Sequence, residues 1–146
     1  MAPVDDRIDL DFLLLADWAE IVAGKLYLQG GGWERVAVPS FPFARNIAIV
    51  VGLTVPWGAT NQRYTVRVTV LNEDTQQEFM RVEGQLETGR PAGLPPGQAQ
   101  SVMMAVNNAS GLPAAGTYLV AVEIDGEERG RKSFRAEQVP GAGQPR

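Results

Sequence analysis

Apolar residues recur at every second position through most of this chain, in short runs separated by turn-forming residues. The clearest run is Ala44 to Val55, where Ile47, Ile49, Val51, Leu53 and Val55 point one way. In Arg63 to Leu71, Tyr64, Val66, Val68 and Val70 alternate with Thr65, Arg67 and Thr69, the pattern of a strand with one buried and one wet face. Ile8 to Asp17 puts Ile8, Leu10, Phe12 and Leu14 on one face, until Leu13 and Leu15 make both faces apolar, which predicts a strand central in its sheet. Further strands are expected at Lys25 to Gln29, Trp33 to Val38, Glu78 to Thr88, Gln98 to Asn107, Thr117 to Ile124 and Glu127 to Glu137. Gly84 is expected to mark a bulge in one of them. Ala19 to Gly24 reads as a single helical turn, and no stretch has the 3.6-residue period of a longer helix.

The punctuation supports the same reading. Asp125-Gly126 is a dipeptide suited to a two-residue hairpin turn, because both central positions of a type I′ turn need positive φ. GRPAGLPPG, the longest cluster of breakers, reads as a surface connection between strands. About eight strands with turns between them predict an all-β, antiparallel sandwich, immunoglobulin-like or C2-like. One domain over residues 8–138 is expected, with flexible tails at 1–7 and 139–146, both rich in Pro, Gly or charge.

Composition narrows the chemistry. A chain of 146 residues, 45% hydrophobic and 21% charged, is an ordinary single globular domain, large enough to bury a core without staples. It contains neither cysteine nor histidine, which removes disulfides, Cys/His zinc sites, cysteine nucleophiles and Ser-His triads. The net charge of −4 disfavours nucleic acid as a partner, and the Arg129, Arg131, Lys132, Arg135 cluster is interleaved with acids. Acids near the start stand where a signal peptide would carry bases, and the longest apolar run, Phe12 to Ala16, is too short to span a bilayer. A cytoplasmic protein is expected, with no membrane span.

Five features invite a functional reading. Gly30-Gly31-Gly32 resembles a phosphate cradle, but such loops lead into a helix with a following Lys-Ser or Lys-Thr, whereas here Trp-Glu-Arg-Val follows; a structural bend is the better account. If that bend is a three-residue hairpin loop, Leu28 faces Glu34, Leu26 faces Val36 and Tyr27 faces Arg35, so Leu26, Leu28, Val36 and Val38 share an apolar face. Tyr27, Trp33 and Arg35 then share the other, a composition enriched in interface hot spots, although a tryptophan more often packs against its own chain. Trp57, after Pro56, is a loop aromatic that serves either as a contact residue or as a plug at the end of the sandwich. The acids Asp5, Asp6, Asp9 and Asp11 lack a cation-loop pattern and read as a solvated edge. Asp17, Glu20 and Glu34 have nothing to fix the separation a glycosidase pair requires.

The order LLLADWAEIVAGKLYLQGGGWERV, then VPW, then GRPAGLPPG, then LPAAGTYLVAVEIDGEERGRKSF resembles a family of short bacterial proteins classed as a domain of unknown function. The resemblance covers about Leu13 to Phe134, with GGGW its most specific part, and it implies no activity and no site residues. The closing G-x-Y and Asp-Gly also resemble the last hairpin of immunoglobulin-like domains. The expected role is a non-catalytic protein-binding or structural module with no catalytic residues, metal or cofactor, partnered by another protein or by itself. Its candidate contact residues are Tyr27, Trp33, Arg35 and Trp57. The alternatives are a subunit of a larger phage-like or compartment particle, and a small hydrolase or sugar- or lipid-binding protein.

Overall fold

A computed structural model describes residues 6–141. The expected tails lie mostly outside the described residues. Among the described residues nine strands follow one another: β1 (Asp9–Val22), β2 (Lys25–Gly31), β3 (Arg35–Val38), β4 (Ile47–Val55), β5 (Arg63–Asn72), β6 (Gln77–Glu87), β7 (Gln100–Asn108), β8 (Gly116–Ile124) and β9 (Glu127–Gln138). They form two sheets of order β2-β1-β4-β7 and β3-β9-β8-β5-β6. All pairings are antiparallel except β3 with β9, which runs parallel, so the second sheet is mixed. The expected all-β sandwich is what the chain forms.

The core lies between the sheets. β4 contributes Ile47, Ile49, Val51, Leu53 and Val55, and the second sheet contributes Val66, Val68, Val70, Val120, Val122, Ile124 and Phe134. Each large apolar side chain of this kind stabilises the fold by roughly 1.5–3 kcal/mol on burial. Tyr118 stacks on Phe134 with ring centroids 5.1 Å apart, and its hydroxyl donates to the Ala114 carbonyl oxygen at 2.7 Å. That bond lets a fully buried tyrosine keep its polar end satisfied while it pins the turn leading into β8. The predicted Asp125-Gly126 turn has φ of 50° and 82°, both positive as the type I′ geometry demands.

Strand β1 departs from simple alternation. A register shift between Leu10 and Phe12 puts Leu10 opposite Leu53 on the core face, whereas Phe12 lies opposite Gly52 on the outer face. The Phe12 ring occupies the space a side chain at position 52 would need. Ile8 and Leu10 thus share the core face with Leu13 and Leu15, while Phe12 and Leu14 point out, which corrects the expected grouping of Ile8, Leu10, Phe12 and Leu14. The strand is nonetheless central, between β2 and β4. It also continues to Val22 where a helical turn was expected, because Ala23 (φ 51°) and Gly24 (φ 73°) form a tight two-residue turn into β2.

The first half of β1 pairs with β4, but beyond Ala16 it pairs only with β2, and this free hairpin curls onto the outside of its own sheet. There Ala16, Ala19, Ala48 and Val50 form a second buried cluster, against which Leu26 and Leu28 of β2 pack. Three of those four residues are alanines, and the short side chains let the hairpin come close.

Candidate functional site

The glycine triplet is neither a cradle nor a hairpin loop. β2 pairs with β1 in the first sheet up to Gly31 and β3 pairs with β9 in the second from Arg35, so Gly32 to Glu34 carries the chain from one sheet to the other. Leu26 and Leu28 therefore do not share a face with Val36 and Val38, and Tyr27 does not pair with Arg35. Gly30 (φ 56°) and Gly32 (φ 87°) adopt the left-handed conformation that glycine tolerates best, and the Asp17 carboxylate fills the place of a side chain at position 30.

The four candidate contact residues are dispersed. Trp33 packs edge-on against Phe134 with centroids 5.6 Å apart, and the Arg45 guanidinium lies 5.9 Å from its ring. Its indole N–H is buried without a hydrogen-bond partner. Arg35, in the second sheet, forms two contacts of 2.6 and 2.8 Å with the Glu137 carboxylate. Trp57 begins a short 3-10 turn, Trp57–Ala59, at the end of the sandwich; Arg90 covers its ring at 3.8 Å and donates to its carbonyl oxygen at 2.8 Å. Tyr27 stands apart from all three on β2, half exposed.

What accompanies Tyr27 is a residue the sequence reading passed over. The β1–β2 register places Trp18 opposite Gln29, Glu20 opposite Tyr27 and Val22 opposite Lys25, and directly opposed residues share a face. Ala19, Leu26 and Leu28 occupy the inward side of the hairpin, so Trp18, Val22 and Tyr27 project together from the other. They are 39%, 47% and 50% exposed, and they are three of the five exposed large hydrophobic residues among those described. Glu20 and Lys25 supply one charge of each sign beside them. The missed signal was Val-Ala-Gly-Lys followed by the alternation Leu-Tyr-Leu, which marks a tight turn and carries Trp18 onto a strand.

A polar clamp fixes this face from behind. Ala19 N–H donates to Asn107 Oδ1 at 3.3 Å, and Asn107 Nδ2 donates to the Ala19 carbonyl oxygen at 2.7 Å. The β7 amide thus substitutes for a neighbouring strand at that residue. Asn46 Nδ2 donates to the Asp17 carbonyl oxygen at 2.7 Å and to Asn107 Oδ1 at 3.1 Å, and Arg45 Nη2 donates to Asp17 Oδ1 at 2.9 Å. Trp18 lies between two residues, Asp17 and Ala19, whose backbones are both held. Little backbone freedom remains at Trp18.

Two concave regions lie at opposite ends of the sandwich. One, of about 390 Å³, has Phe79 and Tyr118 among its walls, with Asn72 and Ser110 as polar lining. Asn72 Oδ1 accepts the Asp74 N–H at 2.9 Å, and Ser110 Oγ donates to Asn108 Oδ1 at 2.5 Å, so both serve the turns that carry them. The other is shallow and runs beside Arg90, Gln100 and Val102. Among the described residues no group of three or more His, Cys, Asp or Glu is placed to hold a metal ion, and no helix is long and apolar enough to cross a membrane.

A profile of DUF6941, a family of unknown function, matches residues 11–137. The chain belongs to this family. Its match reaches from inside β1 almost to the end of β9, so it takes in both sheets and the hairpin. No curated protein matches the sequence. Among solved structures, the chain is similar to the Pseudomonas fluorescens alkylpurine DNA glycosylase AlkC bound to DNA containing an abasic site analog, at 12% identity and a TM-score of 0.50. The likeness covers 89% of this chain and 30% of the glycosylase, and it concerns the fold alone.

Proposed function

We propose that this member of DUF6941 is a non-catalytic protein-binding module of the bacterial cytoplasm. Its contact face is the outer side of the β1–β2 hairpin, with Trp18 as anchor and Tyr27 and Val22 beside it. The observation that carries the reading is the combination of an exposed tryptophan with hydrogen-bonded clamps on both neighbours, Asp17 and Ala19. Aromatic anchors with little motion to lose dominate interface energetics. The occupant that fits is a folded protein offering an apolar pocket to the indole. Glu20 and Lys25 at the border give the face no net charge with which to attract a polyanion.

We also read the topology as immunoglobulin-like. The parallel β3–β9 pair, the β5-β8-β9 run and the Tyr118 corner before β8 support it. In such a scaffold a hairpin added to one sheet is a natural carrier of recognition.

The test is a photo-crosslinking residue at Gln29, introduced in the native host, with identification of the adduct and titration of the purified pair. Trp18→Ala is expected to weaken that complex at least tenfold, about 1.4 kcal/mol, with thermal stability unchanged. A complex unaffected by Trp18→Ala and Tyr27→Ala but lost on Trp57→Ala would overturn the proposal.

A further inference from the structure

The two sheets end on one side in β6 and β7, and this side of the sandwich is open. Val82 lies opposite Val68 and Met80 opposite Val70, so both point toward the core, yet Val82 is 36% exposed. Across the gap, Val102, Met104 and Val106 of β7 lie opposite the buried Leu53, Val51 and Ile49, and all three remain partly exposed. These core-facing apolar side chains are only partly covered.

The four edge strands differ in how they resist pairing. β3 has only four residues and carries Arg35. β2 ends in glycines, and β6 bears Glu78, Arg81, Glu83 and Glu87 with a register shift near its start. Short length, charge and irregularity are the usual protections of an edge. β7, Gln-Ser-Val-Met-Met-Ala-Val-Asn-Asn, has none: nine residues without a charge, a proline or a glycine, and no described strand is paired along its free edge, while the β1–β2 hairpin packs over its outer face at Ala105 and Asn107.

We infer that β7 pairs antiparallel with β7 of a second copy of this chain about a two-fold axis at Met104, joining the two four-stranded sheets into one of eight strands. The sequence selects a copy of itself, because the core-facing positions read the same in both directions about that point. Val102 meets the partner copy's Val106, and Met104 meets its own counterpart. On the other face Met103 meets Ala105 and Ser101 meets Asn107, so large opposes small, polar opposes polar and no like charges meet. Shifting the register by one residue would set core-facing residues against outward ones, and shifting it by two would keep the faces but lose the match of Val102 with Val106. The partner copy would also cover the open seam at Val82.

The native chain has no cysteine, so single-cysteine variants of the full protein report the register directly. Light scattering of the unaltered protein is expected to give a dimer. Met104→Cys should then close to a covalent dimer under mild oxidation, because facing residues of paired strands lie within disulfide reach. Ser101→Cys should not, because its own counterpart would be six positions along the ladder, roughly 20 Å away. Circular dichroism verifies that each variant is folded, and Ser101→Cys, on an exposed residue, serves if Met104→Cys does not fold: a dimer that Ser101→Cys fails to crosslink agrees with the register, and one that it crosslinks overturns it. A monomeric native protein at ~100 μM overturns the inference, whether its β7 edge is bare or occupied by another segment or protein. So does a dimer in which a folded Met104→Cys variant fails to crosslink. The contact face on the β1–β2 hairpin stands or falls separately, since none of these variants touches it.

Discussion

Trp18 and Trp33 sit fifteen positions apart in the same opening segment, and they have opposite fates. Trp33 follows three glycines that carry the chain between sheets, and its ring is drawn onto Phe134. Trp18 rides on a strand whose other face is already engaged by Leu26 and Leu28, so its ring has no core to enter. The more conspicuous of the two surroundings, the glycine triplet, is architectural. The inconspicuous one leaves an aromatic side chain partly in solvent on a hairpin that is hydrogen-bonded in place. A tryptophan's role here depends on which side of the hairpin was already satisfied, not on the residues beside it in sequence.

That contrast can be broken in graded steps. Trp33→Ala should cost the most, about 3–5 kcal/mol by chemical denaturation, because it removes a ring packed on Phe134. Asn107→Ala should cost about 1–2 kcal/mol and raise amide exchange selectively at Asp17 to Tyr27, because Ala19 loses both its side-chain partners. Uniform exchange across β1 and β2 would show that the clamp does not hold the hairpin. Gly30→Ala should cost about 1–2 kcal/mol, from the left-handed backbone and the displaced Asp17 carboxylate, and a neutral result would mean that the crossover tolerates another path. Trp18→Ala should change stability by no more than about 0.5 kcal/mol. A loss comparable to that of Trp33→Ala would erase the distinction between the two residues.

The fold was legible where local chemistry and tertiary demand agree. β4 and β5 alternate because each has a face against the core, and Asp125-Gly126 turns because its backbone geometry is intrinsic to those residues. Reading failed where alternation is interrupted. The shift between Leu10 and Phe12 reverses which residues face inward, and only the pairing with β4 reveals it. Within Ala19 to Gly24 only Ile21 and Val22 are strong strand-formers, so the extended form of Ala19 to Val22 comes from the ladder with β2 and the Asn107 clamp. Of the candidate contact residues, Tyr27 was placed on the outward side by parity alone. Trp18 was missed because its strand was ended five residues early.

The sequence by itself determined most of the strands, the Asp125-Gly126 turn and the absence of cysteine and histidine chemistry, since these depend on residue type and on contacts a few positions apart. It also brought Tyr27 and Gln29 to one side of β2, through the two-residue period of any strand. Only the tertiary structure decided that the glycine segment leads from one sheet to the other, that Trp33 packs half-buried on Phe134 while Trp18 is more exposed, and that β6 and β7 leave the sandwich open on one side. Those outcomes depend on which strands become neighbours, and neighbours distant in sequence are chosen by the packing of the whole chain.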